Sequence, residues 1–358
     1  MTCKLESKHR EIFAVLNFTK ETVLKYGNPV GLSPEELTLW SNGLDLKNRM
    51  PTIFYTGMYS YMGYAETALI LEYVIKKEGL MLSDLLNLAG KARLLGYKST
   101  MKDLLRLLRS PMGKLSSIFG ISSEKLSRLR TIAEETDSRN QVYWNMLVKG
   151  AKLLQKGGVD FAYLGRDEPD SGVALHTFGM LDDFSDYARD VYKKLKGFGV
   201  KEIITMDPIT AAVFKKFYPE FVDGFDIDVK HITEVLSLSG SAPTGKEVVF
   251  HDPCYLARHL KITEQPRKLL AEAGYKVIDP PNSRERTRCD GGGVEYTDPV
   301  IAIRTAQIRF NEVLSTGNSN IVTSCPACVM MFRAANYFSE KKANVYDITD
   351  MLLTGEAV

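Results

Sequence analysis

Two stretches, EIITMDPITAAVFKKF (202–217) and SNIVTSCPACVMMFRA (319–334), share one layout: an apolar run, a Thr, a turn with Pro, and a helical tail. Two further pairs extend the likeness. PTIFYTGMYSYM (51–62) matches EVVFHDPCYLARH (247–259) as strand, turn and helix start. FAYLGRDEPDSGVALHTFGM (161–180) matches KVIDPPNSRERTRCDGGGVEY (276–296) as strand, polar loop and small-residue turn. An internal repeat constrains a fold more than any local propensity, because each copy must form the same packed unit. Strands alternating with helical patterns predict an α/β protein of two pseudo-symmetric βαβ-type halves with mainly parallel sheets.

The repeat sets the expected boundaries. Residues 1–47 form an N-terminal arm, with Ser33-Pro34-Glu35-Glu36 as a helix start. Residues 48–238 form the first half, SGSAPTGK (239–246) the linker, and 245–358 the second half. A helical insertion interrupts the first half at about 79–150, with Thr100 and Asp103 spaced as a capping box. From Gly79 to Ile132 there are ten Lys or Arg against three Asp or Glu, a basic surface for solvent or for an acidic partner or membrane face.

Charge and hydropathy exclude some classes. The net charge of +2 in 358 residues implies no nucleic-acid partner. The run MPTIFYTGMYSYMGYA is too short to span a bilayer, and the start MTCKLESKHREIF has no signal-peptide core, so the chain reads as cytoplasmic.

Four of the five cysteines lie in the last third: Cys254, then Cys289 beside Asp290, then Cys325 and Cys328 in a Cys-x-x-Cys. Thirty-four residues separate each group from the next, and each follows a predicted strand. The carboxyl ends of parallel strands share one edge, where ligands bind, so three turns would bring four sulfurs to one cavity. Four thiolates suit zinc or an iron–sulfur cluster. Gly291 and Gly292, in the run CDGGG, favour the cluster, because inorganic sulfide needs close backbone and N–H donors. A structural zinc would more usually use two Cys-x-x-Cys knuckles. Asp290 is either a further participant or a turn residue before glycine. His251 flanks the site as a cavity residue or a structural one; Cys3 is incidental.

The residues HDPCYLARH, PRKLL, RCDGGGVEY and SCPACVMMF resemble the cysteine-rich CCG domain of the heterodisulfide reductase B-subunit family. YGNPVG and Trp40 resemble the segment that leads into it. The family motif, Cys, Cys-Cys-Gly and Cys-x-x-Cys, departs here in two ways. Asp290 replaces one of the adjacent cysteines. In the first half Met58, Asp170 with Ser171, and Asp207 with Thr210 stand at the cysteine positions, so that half is expected to hold no cluster. Asp170, His176 and Asp207 are either zinc ligands there or, equally, turn residues.

The resemblance implies one [4Fe–4S] cluster on Cys254, Cys289, Cys325 and Cys328. Asp290 then acts as an oxygen ligand, a hydrogen-bond partner or a charge that tunes the potential. It further implies an oxidoreductase subunit that is active only within a complex, handling disulfide or persulfide sulfur, with sulfur oxidation the expected setting. Its partners would be the ferredoxin-like and flavoprotein components of such a complex, and a lipoate or sulfur carrier protein. The alternatives are the iron–sulfur subunit of a glycolate- or lactate-type dehydrogenase and a structural zinc scaffold.

Overall fold

A computed structural model describes residues 2–77, 101–109, 122–238 and 244–353. Thr100, much of the basic insertion and most of the linker lie outside the described residues.

Two parallel sheets carry the repeat. In the first, β1 (Thr52–Tyr55), β2 (Glu202–Thr205) and β3 (Asp228–His231) are ordered β1-β2-β3. Ala162 adds a parallel bridge to Ile53 on the outer side of β1, through Phe54 N–H to Ala162 O (2.8 Å) and Ala162 N–H to Thr52 O (3.0 Å). The second sheet holds β4 (Glu247–Phe250), β5 (Lys276–Ile278), β6 (Asn320–Thr323) and β7 (Asn344–Asp347), ordered β5-β4-β6-β7. Counting Ala162 as a rudimentary strand, the two orders are the same, and each segment paired in the sequence takes the same place.

The likeness extends past the expected pairs. VKHITEVL follows the path of VYDITDML: His231 and Asp347 each end the last strand and cap a short helix, with Glu234 and Asp350 completing the capping boxes.

The halves are packed together. One core runs from Ile53, Phe54 and Ile203 to Ile321, Val329 and Phe332, and a smaller one lies beside Val248, Phe250 and Ile348. Across the junction Tyr59 donates to Asp347 Oδ2 (2.6 Å), and Arg333 Nε to Glu66 Oε2 (2.9 Å). The helix Thr136–Lys156 runs through the expected end of the insertion at 150, because its buried face of Tyr143, Leu147, Ala151 and Leu154 belongs to the main core. The N-terminal arm packs on the first sheet through Trp40, whose Nε1 donates to Tyr163 Oη (3.1 Å). Its expected helix start is present: Ser33 N–H donates to Glu36 Oε2 (2.9 Å).

In the first half a carboxyl ties together the turns that sulfur occupies in the second. Asp207 accepts from Met58 N (3.1 Å), Ile209 N (3.0 Å) and Thr210 Oγ1 (2.7 Å). Gly57 permits this approach: its φ is +56°, and a Cβ there would sit 2.8 Å from the Asp207 side chain. Asp207→Ala is expected to cost about 2–3 kcal/mol by orphaning buried donors, with Asp207→Asn much milder. Neither should change the iron content. Denaturant unfolding and metal analysis check both statements, and iron loss in either variant would place a cluster in this half.

Candidate iron–sulfur site

Three strand ends supply the site. After β4, the segment His251-Asp252-Pro253 leads to Cys254, which opens a π-helical turn, Tyr255–His259. After β6, Cys325 is the N-cap of the helix Pro326–Phe338, and Cys328 lies in its first turn. After β5, a long loop returns to Cys289 and Asp290. The expected placement just after a strand holds for Cys254 and for Cys325 with Cys328, whereas Cys289 stands at the far end of the loop that follows β5.

The thiols meet in pairs. Cys254 lies beside Cys289, and Cys325 beside Cys328. Cys325 and Cys328 are 2% and 4% exposed, whereas Cys254 and Cys289 are half-buried. Burial pushes the Cys325 and Cys328 thiols up. The helix N-terminus offers partial positive charge to anionic sulfur there. The neighbouring Cys289 thiol holds Cys254 below the ordinary thiol range, and Cys289 is pushed up in turn.

Asp290 belongs to the same cluster of side chains. It is 2% exposed, accepts from Gly292 N (3.2 Å) and lies close to the Cys328 thiol. One donor atom each from His251, Asp290 and Cys328 lies within 4.8 Å of the others. Burial opposes ionisation of Asp290, but His251, Cys328 and the Gly292 amide outweigh it and hold the carboxyl below its ordinary range.

Sequence reasoning missed what orients this carboxyl. Arg309, fully buried, donates Nε–H to His251 Nδ1 (3.2 Å). Arginine can only donate, so Nδ1 accepts and the ring proton sits on Nε2, 3.3 Å from Asp290 Oδ2. Arg309 occupies Nδ1, while Asp290 Oδ2 makes no hydrogen bond among the described residues, so His251, Asp290 and Cys328 still face one another beside the thiols. The signal for Arg309 was present: it falls on the apolar stripe Ala302, Ala306, Phe310, Val313 of the helix Pro299–Leu314.

The glycines divide their roles. A Cβ on Gly291 (φ +97°) would lie 2.8 Å from Ala302 O, so this glycine seats the loop against the neighbouring helix. Gly292 supplies the amide to Asp290 and has Ala327 and Met331 as neighbours.

The residues fit a sulfide-bearing cluster. Four thiols are gathered from three turns, and the buried hydroxyls of Thr323 and Ser324 have no hydrogen-bond partner among the described residues, nor do the carboxylate oxygens Asp290 Oδ2 and Glu295 Oε2. The orphaned hydroxyls are donors that sulfide could satisfy, and the orphaned carboxylate oxygens are acceptors that a metal-bearing group could satisfy. In the first half the equivalent Thr205 hydroxyl accepts from Asp207 N (3.1 Å), so that hydroxyl is partnered. His176 stacks on Phe217, with ring centroids 4.1 Å apart, while Asp170 accepts from Gly172 N and Asp207 caps a helix. The three do not converge on a zinc site.

Residues 248–333 match the CCG family, the cysteine-rich domain. The chain carries a CCG domain. The match contains all four clustered cysteines and Asp290.

Curated relatives extend the likeness. A probable iron-sulfur-binding oxidoreductase, FadF, of Bacillus subtilis is 32% identical over 228 residues, 60% of this chain and 32% of that protein. EtfAB:quinone oxidoreductase of Syntrophomonas wolfei is 30% identical over 221 residues, 56% of this chain and 30% of that protein. The D subunit of the dihydromethanophenazine:CoB–CoM heterodisulfide reductase of Methanosarcina barkeri is 29% identical over 192 residues, 50% and 47% of the two chains. The chain therefore spans about a third of the length of the first two relatives and about half of the third. Among the described residues no helix is long and apolar enough to cross a membrane.

Proposed function

We propose that this chain is an iron–sulfur redox subunit of a heterodisulfide reductase-like complex, with one [4Fe–4S] cluster on Cys254, Cys289, Cys325 and Cys328. The observation that carries the reading is the gathering of these four thiols, with Asp290 buried where the family motif has a further cysteine. The cluster would supply one-electron chemistry, which none of the surrounding side chains can provide.

The chain's own residues perform three tasks. The helix Pro326–Phe338 and the buried side of the site exclude water from Cys325 and Cys328. Arg309 and His251 fix the orientation and charge of Asp290. The half-buried Cys254 and Cys289 form the outer edge, where an electron-transfer partner can approach. Arg258 is exposed beside that edge, Lys261 is exposed there in an ion pair with Glu285, and Lys216 adds to the positive field at His259. This suits an acidic docking face on a ferredoxin-like protein, with a flavoprotein further along the path.

Asp290 separates sulfur chemistry from plain electron relay. A carboxylate is a harder and more exchangeable ligand to iron than a thiolate, so a disulfide or persulfide sulfur could take its place. Asp290→Asn is expected to keep the cluster and raise its reduction potential, because one negative charge is removed nearby. Redox titration and EPR, with and without an added thiol or persulfide, check this. A spectrum that the sulfur compound changes in wild type supports substrate chemistry, whether in sulfur oxidation or in disulfide reduction. An unchanged spectrum assigns the chain to electron relay alone, as in a 2-hydroxyacid dehydrogenase. Equal potentials in wild type and Asp290→Asn would remove Asp290 from the site.

A further inference from the structure

A large cavity among the described residues lies in the half without clustered cysteines, and it is separate from the thiols. It has a volume of about 570 Å³ and opens at the carboxyl ends of β1 and the Ala162 segment. Tyr55, Thr56 and Gly57 enter it directly after β1, and Glu168 and Asp170 come from the loop equivalent to the one that carries Cys289. This is the edge at which open α/β sheets hold ligands, and the volume is that of a small-molecule site.

The lining is acidic and aromatic. Five carboxyls, Glu168, Asp170, Asp183, Asp186 and Asp190, face two cations, Arg166 and Lys194. Asp183 and Asp186 are paired with Lys20 and Arg189, and Arg166 with Glu35. Glu168 accepts from Thr56 N and Thr56 Oγ1, and Asp170 from Gly172 N, but among the described residues neither they nor Asp190 has an ion-pair partner, and Lys194 is the cation that faces them. Tyr26, Tyr55, Tyr61, Tyr163 and Tyr187 complete the wall. The Tyr61 hydroxyl is a second, independent sign of a ligand: the residue is 2% exposed and its oxygen has no hydrogen-bond partner among the described residues. Burial pushes Glu168 up to about 8 and Asp170 up to about 7, so each gains from a positive neighbour.

We propose that this cavity binds a small organic cation, an amine or quaternary ammonium, held by Glu168 and Asp170 against the tyrosine wall. Aromatic faces and buried carboxyls both favour such a group. A metal ion fits less well: among the described residues the one convergent set of possible metal ligands is His251, Asp290 and Cys328, and none of the cavity's carboxyls belongs to such a set.

The test is calorimetric titration of the intact, cluster-loaded chain with choline and with spermidine, using the uncharged carbon isostere of choline as control. One-site binding of at least one cation is expected, with a Kd below about 1 mM and the isostere at least tenfold weaker. Glu168→Gln should weaken binding about tenfold or more, and Tyr61→Phe about threefold. Asp190→Asn, at the exposed rim, should weaken it about twofold and serves if Glu168→Gln does not fold. The proposal is overturned if neither cation binds, if the isostere binds as well as choline, or if Glu168→Gln and Asp190→Asn both bind like wild type. Displacement of choline by magnesium at comparable concentration would also overturn it, since the cavity would then be a metal site.

Discussion

Cys325→Ser protein, prepared anaerobically, is expected to lose most of its iron and sulfide, against about four of each per chain in wild type. Cys325 stands at the junction of β6 and the helix Pro326–Phe338, with 2% exposure. A serine hydroxyl there keeps the cap geometry but is a far poorer ligand for iron than a thiolate. Cys325 contributes no hydrogen bond that Ser cannot make, so the fold should survive and the loss can be read as ligand loss. Thermal unfolding of the metal-free forms of both proteins provides the control and should give similar midpoints. Stoichiometric zinc without iron in the wild type would sink the iron–sulfur reading and return the chain to a structural metal scaffold.

Much of the fold was legible in the sequence, and the reason is the repeat. Each of β1, β2, β4 and β6 is a short buried apolar run ended by a turn residue, and both copies carry the same punctuation. Two imperfect copies of a pattern say more than one good copy, since chance likeness seldom recurs in the same order. The pair β3 and β7 was missed because each alternates apolar with polar residues on an outer strand. DVKH and NVYD read more like loops than like buried runs. Their likeness lies in the following ITEV and ITDM, which is a capping signal rather than a strand signal.

The site was legible to the depth of its sulfur atoms and no further. Cysteine is sparse and chemically distinctive, so its spacing carries information. The residues that hold the thiols in place are ordinary charged residues in a chain with 46 basic and 44 acidic ones. Asp252 meets Arg267, and His251 meets Arg309, only through folding, and no spacing rule links either pair. His251 is the instructive case. The choice between a structural and a site histidine had no single answer, since Arg309 satisfies one nitrogen while the other faces Asp290 beside Cys328. The first half shows the same limit. Met58, Asp207 and Thr210 look like lost ligands in sequence, whereas in the structure Asp207 provides a hydrogen-bonded tie between the turns.

Arg267→Ala is expected to give the largest loss of stability of any single substitution near the site, about 3–5 kcal/mol, together with loss of the cluster. Arg267 makes a two-pronged contact with Asp252, Nη1 to Oδ1 and Nη2 to Oδ2, each 2.7 Å, and its Nε reaches Asp279 at 3.0 Å. It also lies over the Phe250 ring, 5.2 Å from the centroid. Asp252 is 1% exposed, so removing the guanidinium leaves a buried carboxylate without its counter-charge, and that costs more than the pair itself contributes. The same aspartate anchors the loop that delivers Cys289: Arg284 N–H donates to Asp252 Oδ2 (2.7 Å), and Thr287 Oγ1 to Asp252 O (2.8 Å). Loosening Asp252 therefore moves Cys289 away from Cys254 although no thiol has been touched. Arg267→Lys should recover part of the stability, because an ammonium restores charge without the two-pronged geometry. Denaturant unfolding and iron analysis of the two variants measure both effects. Arg267→Ala with a full complement of iron would show that Cys289 is positioned independently of this salt bridge. Arg267→Lys with wild-type stability would show that charge alone, and not the paired geometry, holds the loop.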